Sequence, residues 1–253
     1  MTVYTCERDW DAVLTAVYTA MKDPKGHKNI RLEYEPVGQY SLFDEYHHVD
    51  IDYDKVNILF EAVNSKISTE FYSQMQFCSM AYEEDTADNI YRMMLLGFAF
   101  GPKAVEMFQY KEVMRHFQIC KRLGNETHAF REFIRFHQVR ESLYVAHFEP
   151  KSRIVISLGE DFEQRMPSEN FMIVDDIHHE AVIHPANEHF YLRRLNDDEF
   201  TTLLETEKLN DEFTDLWKVF FDSIAIEERK NYQCQRNLMP KWYRKHAVEF
   251  TLK

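Results

Sequence analysis

The stretch Ser142-Leu143-Tyr144-Val145-Ala146-His147-Phe148-Glu149-Pro150-Lys151-Ser152-Arg153-Ile154-Val155-Ile156-Ser157-Leu158 decides how this chain folds. Ser142 to Phe148 and Arg153 to Leu158 follow a period of two, and the turn-forming run Glu149-Pro150-Lys151-Ser152 lies between them. Alternation places successive side chains on opposite faces of a strand, so the pattern predicts a hairpin. Gly159 then opens a short helix to Arg165. Phe171 to Val174, His179 to His184 and His189 to Leu192 continue as antiparallel strands, giving a small sheet formed largely by residues 138–194.

On the N-terminal side the period changes to 3.6. Val3 to Cys6 reads as a short strand. Asp9 or Asp11 caps a helix with Trp10, Val13, Leu14, Val17, Tyr18 and Met21 on one face, and Asp23-Pro24 ends it. Arg31 to Glu35 and Val49 to Ile51 are predicted strands. Helices follow from Asp54, from Ser68 or Thr69, and over 86–99, 103–123 and 127–136, with Gly101-Pro102 as a stop signal. Beyond the sheet, a helix over 209–228 is expected to bury Phe213, Leu216, Trp217, Phe220, Phe221 and Ile224. Pro240 precedes a short final helix bearing Trp242 and Tyr243. The predicted class is α+β, mainly helical with a small antiparallel sheet. Residues 1–137 form a mostly helical part and 138–253 the sheet plus C-terminal helices, either as two domains or as one continuous domain.

With 253 residues, 45% of them hydrophobic and 15% aromatic, the chain can bury a core and does not read as disordered. Six glycines stand too far apart for GxGxxG or GxxxxGK[ST], which excludes a standard dinucleotide fingerprint or P-loop. The longest apolar run, Met93 to Phe100, is far shorter than the roughly twenty residues that span a bilayer. The start MTVYTCERDW has no basic region followed by an apolar one, so no secretory signal is expected. Cys6, Cys78, Cys120 and Cys234 show neither zinc nor iron–sulfur spacing. These features predict a cytoplasmic, reduced protein without membrane contact and without a cofactor of its own.

Charge is uneven. The net value is -13, yet residues 102–140 carry 8 basic and 4 acidic side chains, and residues 227–246 carry 6 and 2. Residues 158–222, by contrast, carry 5 and 17. Each basic island has the composition of a solvated helix face; together they also suit a phosphate-binding strip in an acidic body. In the first island Lys121 and Arg122 precede a stripe of His128, Arg131 and Arg135. The second contains Arg229, Asn231, Gln235, Arg236, Lys241 and Arg244, interleaved with Tyr232, Trp242 and Tyr243. Arg and Lys clamp phosphates, Asn and Gln read base edges, and aromatic rings stack on unpaired bases. Trp242 and Tyr243 serve equally well as core anchors for a C-terminal tail.

The histidine-rich run Asp175-Asp176-Ile177-His178-His179-Glu180, with His184 and His189, offers metal ligands. If Pro185 to Glu188 forms a four-residue hairpin loop, His184 and His189 face each other, with Glu180 on the same face as a third ligand. The spacing is not HExxH, and edge-strand histidines and turn aspartates account for the same letters. There is no GxSxG, and the cysteines lie on apolar helix faces or near a terminus. Nothing here names a reaction, and whether the protein is an enzyme stays open.

The segments Thr127-His128-Ala129-Phe130-Arg131-Glu132-Phe133-Ile134-Arg135-Phe136 and Leu143-Tyr144-Val145-Ala146-His147-Phe148-Glu149-Pro150 resemble an uncharacterised bacterial family called "probable DNA metabolism protein". So do Phe162 to Asp176, with its Arg165-Met166-Pro167 turn, and Leu216-Trp217 through Ala225-Ile226-Glu227-Glu228-Arg229-Lys230-Asn231 to Gln235 and Pro240. The resemblance covers most of the chain. It implies a DNA-repair or DNA-modification accessory acting with a radical-SAM partner, whose iron–sulfur cluster would be the partner's, since no CxxxCxxC occurs here. Some members are fused to a uracil-DNA glycosylase-like domain, and this chain is expected to end where such a fusion begins. Arg131, Arg135, Arg229, Asn231, Gln235 and Pro240 coincide with family pattern positions. Many relatives open with an aromatic-Asp-Gly-Ser-Phe turn, whereas this chain has Cys6-Glu7-Arg8-Asp9-Trp10. Two other functions fit the letters: a metal-dependent enzyme acting on nucleic acid through His184 and His189, and an acidic adaptor that docks a basic partner without DNA.

Overall fold

The computed structural model describes residues 1–140, 142–206, 216–217, 219–220, 223–224, 226, 228 and 230–250. It divides into two compact units, Met1–Leu123 and Gly124–Lys253. Among the described residues the class is α+β, with a parallel three-stranded sheet in the first unit and a mixed five-stranded sheet in the second. No helix among them is long and apolar enough to cross a membrane.

In the first unit, β1 (Thr2–Cys6) lies between β2 (Ile30–Tyr34) and β3 (Glu45–His48), parallel to both. Parallel neighbours need a crossover, and α1 (Trp10–Lys22) supplies the one from β1 to β2. Asp9 caps α1 by accepting from the Asp11 backbone N–H at 2.9 Å. Its Val13, Leu14 and Val17 are wholly buried, each contributing roughly 1.5–3 kcal/mol of apolar transfer. Asp52 and Ser68 cap α2 (Tyr53–Lys66) and α3 (Thr69–Ser79) in the same way. α4 (Thr86–Phe100) stops at Gly101, whose φ of 70° is left-handed.

Two helices expected over 103–123 and 127–136 are instead one, α5 (Lys111–Phe133), preceded by a short 3-10 turn over Gly101–Glu106. Gly124 inside a helix costs only about 1 kcal/mol relative to Ala. Leu123 and Phe130, both buried, offset that.

The second unit orders its strands β4 (His137–Arg140), β5 (Leu143–Phe148), β6 (Asn170–Asp175), β7 (Glu180–His184) and β8 (Tyr191–Arg194). All pairs are antiparallel except β5 and β6, which run parallel. The predicted strand from Arg153 to Leu158 is therefore corrected: residues Val155–Arg165 form α6, the crossover that a parallel pair requires. The competing signal is visible afterwards. Val155, Leu158, Gly159 and Phe162, all buried, recur at i, i+3, i+4 and i+7. Gly159 lets α6 lie on the sheet, since a Cβ there would stand 2.9 Å from Val182 Cγ1. The strand expected at Val49 to Ile51 is also displaced, to Glu45–His48.

Beyond the sheet come α7 (Asp197–Thr206), α8 (Tyr232–Leu238) and a 3-10 turn over Lys241–Arg244. Of the residues expected on the buried side of a 209–228 helix, Phe213 and Phe221 lie outside the described residues. Leu216, Trp217, Phe220 and Ile224 are exposed, which corrects that expectation. Trp217 is held by polar contacts instead, donating from Nε1 to Glu249 at 3.2 Å beneath the Arg135 guanidinium.

Candidate functional site

The parallel register pairs Phe148 of β5 with Asp175 of β6, so Glu149 and Asp176 leave the carboxyl ends of the two strands side by side. The Asp176 N–H donates to the Phe148 carbonyl at 3.0 Å and fixes that exit. In open α/β arrangements ligands gather outside the carboxyl ends of parallel strands, and the polar groups do so here. His147, at the end of β5, donates from Nδ1 to Asp176 Oδ1 at 2.8 Å; a carboxylate has no proton to give, which fixes the direction. Both side chains are buried, at 1% and 5% exposure. His246 places Nε2 3.7 Å from Asp176 Oδ2 and 3.9 Å from Glu149 Oε1. One ligand atom each from Glu149, Asp176 and His246 thus lies within 4.8 Å of the others. Ligands about 2.1 Å from a common ion stand roughly 3–3.5 Å apart, so a small contraction would close these three on a divalent cation. Lys245 ion-pairs with Glu149 and supplies positive charge at the same place.

Two devices hold these groups. Glu126, buried on α5, accepts from the Lys151 N–H at 2.6 Å, the Ser152 N–H at 3.3 Å and the Ser152 hydroxyl at 2.8 Å. It pins the loop that follows Glu149-Pro150. Trp242 and Tyr243 pack edge-on against Phe130, with ring centres 5.4 and 4.9 Å away, and anchor the segment that carries Lys245 and His246. Burial, with the charge of Glu126 second, pushes the Tyr243 hydroxyl up to about 12, so it stays protonated. Neighbouring Asp175 does different work. Its Oδ1 accepts from the Ile177 and His178 N–H groups and its Oδ2 meets His178 Nδ1 at 2.7 Å, so it is spent on the turn.

The residues predicted for nucleic-acid contact are dispersed among other tasks. Arg131 pairs with Asp161 at 2.5 Å and Arg135 with Glu249 at 2.7 Å. Asn231 caps α8 by accepting from the Cys234 N–H at 2.9 Å. Arg244 donates to the carbonyls of Met239 and Gln235 and lies over the Phe250 ring. Gln235 is half-buried, and Arg236 and Lys241 are exposed. Arg229 lies outside the described residues.

The predicted metal trio is not gathered. Ile183 pairs with Tyr191, so the partner position of His184 is Phe190, and His189 belongs to the loop. His184 is buried, stacks on Phe171 at 4.5 Å and donates from Nδ1 to the Glu169 carbonyl. His189 is 99% exposed beside Glu163. Glu180 is held by Arg153 at 2.6 Å and Arg194 at 3.7 Å. Asp176 lies in the histidine-rich run that offers ligands in the sequence, whereas Glu149 falls in a predicted turn and His246 lies 70 positions from Asp176, so neither carries a local signal.

No curated protein matches the chain. A domain of unknown function, DUF4130, matches residues 84–249, more than half of the chain, and takes in His147, Glu149, Asp176 and His246. The chain therefore belongs to the DUF4130 family.

Proposed function

We propose that the second unit acts on DNA through a divalent cation held by Glu149, Asp176 and His246. The observation that carries this reading is the convergence of two carboxylates and an imidazole at the ends of β5 and β6. Oxygen donors with one imidazole suit magnesium, manganese or zinc, ions that clamp phosphate oxygens and activate water at phosphodiesters. His147 orients Asp176 through the 2.8 Å bond, a positioning role. The polyanion as substrate is supported by Lys245 at the site and by the exposed Arg236 and Lys241 in the same C-terminal segment. It is supported also by the resemblance to a DNA-metabolism family with a radical-SAM partner.

Calorimetric titration of Mn²⁺ into the full chain and into Asp176→Asn tests the site, and a DNA-binding and cleavage assay with and without Mn²⁺ tests the substrate. We expect one Mn²⁺ per second unit, weakened at least 100-fold by the substitution, and metal-dependent DNA cleavage. With Arg131 and Arg135 committed to carboxylates, about two phosphate contacts remain, so affinity falls roughly tenfold between 50 and 200 mM salt. Metal-independent DNA binding without cleavage would replace this reading by the accessory role. Absence of binding to any DNA would remove DNA altogether.

A further inference from the structure

In the first unit a different set of ligand atoms converges from two helices. Cys78 lies near the end of α3, and His116 and Cys120 sit one turn apart on one face of α5. One ligand atom from each lies within 4.8 Å of the others. His116 Nε2 and Cys120 Sγ are 3.5 Å apart. The imidazole is aimed by Asn89 of α4: the Asn89 amide nitrogen donates to the Glu112 carbonyl at 2.9 Å, which leaves its Oδ1 to accept from His116 Nδ1 at 3.2 Å. The tautomer is thereby set, with the Nε2 lone pair turned toward the sulfurs. Such an outer partner on the far nitrogen is the arrangement found behind metal-bound histidines.

Two further observations point to a ligand. Glu83, in the connection between α3 and α4, is 7% exposed and has one carboxylate oxygen, Oε2, buried without a hydrogen-bond partner. Its charge acts on both Cys78 and Cys120. A pocket of about 460 Å³ opens directly on His116 and Cys120, walled by Phe77, Val105, Val113 and Phe117.

We propose that Cys78, His116 and Cys120 bind a zinc ion whose fourth position faces this pocket. Two thiolates and one imidazole form the donor set of a zinc site that keeps a place for water or a small ligand. Glu83 stands near the cluster as a carboxylate able to accept from a zinc-bound water. The ligand admitted by the pocket is a small molecule with an oxygen or nitrogen donor and an apolar body.

Cobalt(II) substitution of the full-length chain tests this, because sulfur-to-cobalt charge-transfer bands arise only where thiolate binds the ion. We expect those bands at one equivalent of Co²⁺, displaced by Zn²⁺. They should be abolished in Cys120→Ser and retained in both Cys234→Ser and Asp176→Asn, which separates this centre from the one in the second unit. Asn89→Ala should keep the bands and weaken zinc affinity roughly 10- to 100-fold. Circular dichroism of Cys120→Ser distinguishes lost binding from lost folding. Cobalt uptake without sulfur bands would overturn the proposal. So would a Cys78–Cys120 disulfide in freshly isolated protein together with no metal uptake after reduction.

Discussion

The two units gather polar side chains in opposite ways. In the first, the donors ride on helix faces, two of the three are soft sulfurs, and they sit among Phe77, Val113 and Phe117. In the second they sit at the ends of two parallel strands, are hard oxygen and nitrogen atoms, and lie next to a basic segment. Environment separates even chemically identical groups. A hydrogen bond from Cys78 is the largest influence holding the Cys120 thiol below its ordinary range, against burial, and His116 adds to it. Cys6, buried without such a partner, is pushed up to about 12. Helix spacing alone sets half of the first centre, whereas the second exists only once the whole sheet has formed.

The largest expected effect follows from that dependence. Phe171 is 1% exposed in β6, stacked on His184 and edge-on to Phe136 at 5.9 Å. Phe171→Ala should cost about 3–5 kcal/mol of unfolding free energy, read by denaturant titration. Manganese binding at Asp176 should weaken with it, while the cobalt–sulfur bands of the first unit persist. If both signals vanish together, the two centres are not independent and the contrast fails. Next in size, His246→Ala removes one ligand and leaves the sheet intact. We expect at least 100-fold weaker Mn²⁺, about 2.7 kcal/mol, with an unchanged unfolding midpoint. A midpoint that falls instead would make His246 a structural residue.

How much of this was legible beforehand follows the same divide. Local signals carried the helices: the period of Trp10 to Met21, the Asp9 and Ser68 caps, and the Gly101-Pro102 stop all appear where expected. The α+β class was legible for that reason. The strand ends were not. Ile154, Ile156 and Leu158 read equally as period two, and only the pairing of β5 with β6 makes 155–165 a helix. Taking β5 and 153–158 for a hairpin turned Glu149 into a turn residue and hid its meeting with Asp176. The His116-x-x-x-Cys120 spacing was legible, one helical turn with two donors. Nothing local ties that pair to Cys78, which is 38 residues from His116, because their proximity is set by tertiary packing.

The glycines sharpen the contrast at smaller energy. A Cβ at Gly97 would meet Ile67 Cδ1 and Phe71 Cζ at 2.8 Å, atoms at the tips of side chains rather than at their branch points. One at Gly159 would meet both Cγ atoms of Val182, at 2.9 and 3.0 Å, on a β-branched residue fixed in β7. Gly159→Ala should therefore destabilise by about 1–3 kcal/mol, and Gly97→Ala by less, since Ala gains helix propensity at both positions. Equal losses in thermal unfolding would show that the helices of the first unit are packed as rigidly as the sheet of the second.

The smallest effect probes the helix-borne centre from a distance. Ser68 accepts from the Phe71 N–H at 3.1 Å and begins α3, ten residues before Cys78. Removing the hydroxyl in Ser68→Ala leaves a first-turn donor unsatisfied and should cost about 1 kcal/mol. Phe71 and Met75, both buried, lie between the cap and the cysteine and hold the middle of α3 in place. The fraying should thus stop before Cys78, so unfolding shifts slightly while cobalt bands and zinc affinity stay as they were. A cap mutant that loses zinc affinity in proportion to its stability would mean that the sulfur centre, like the strand-end centre, needs its whole surroundings to form.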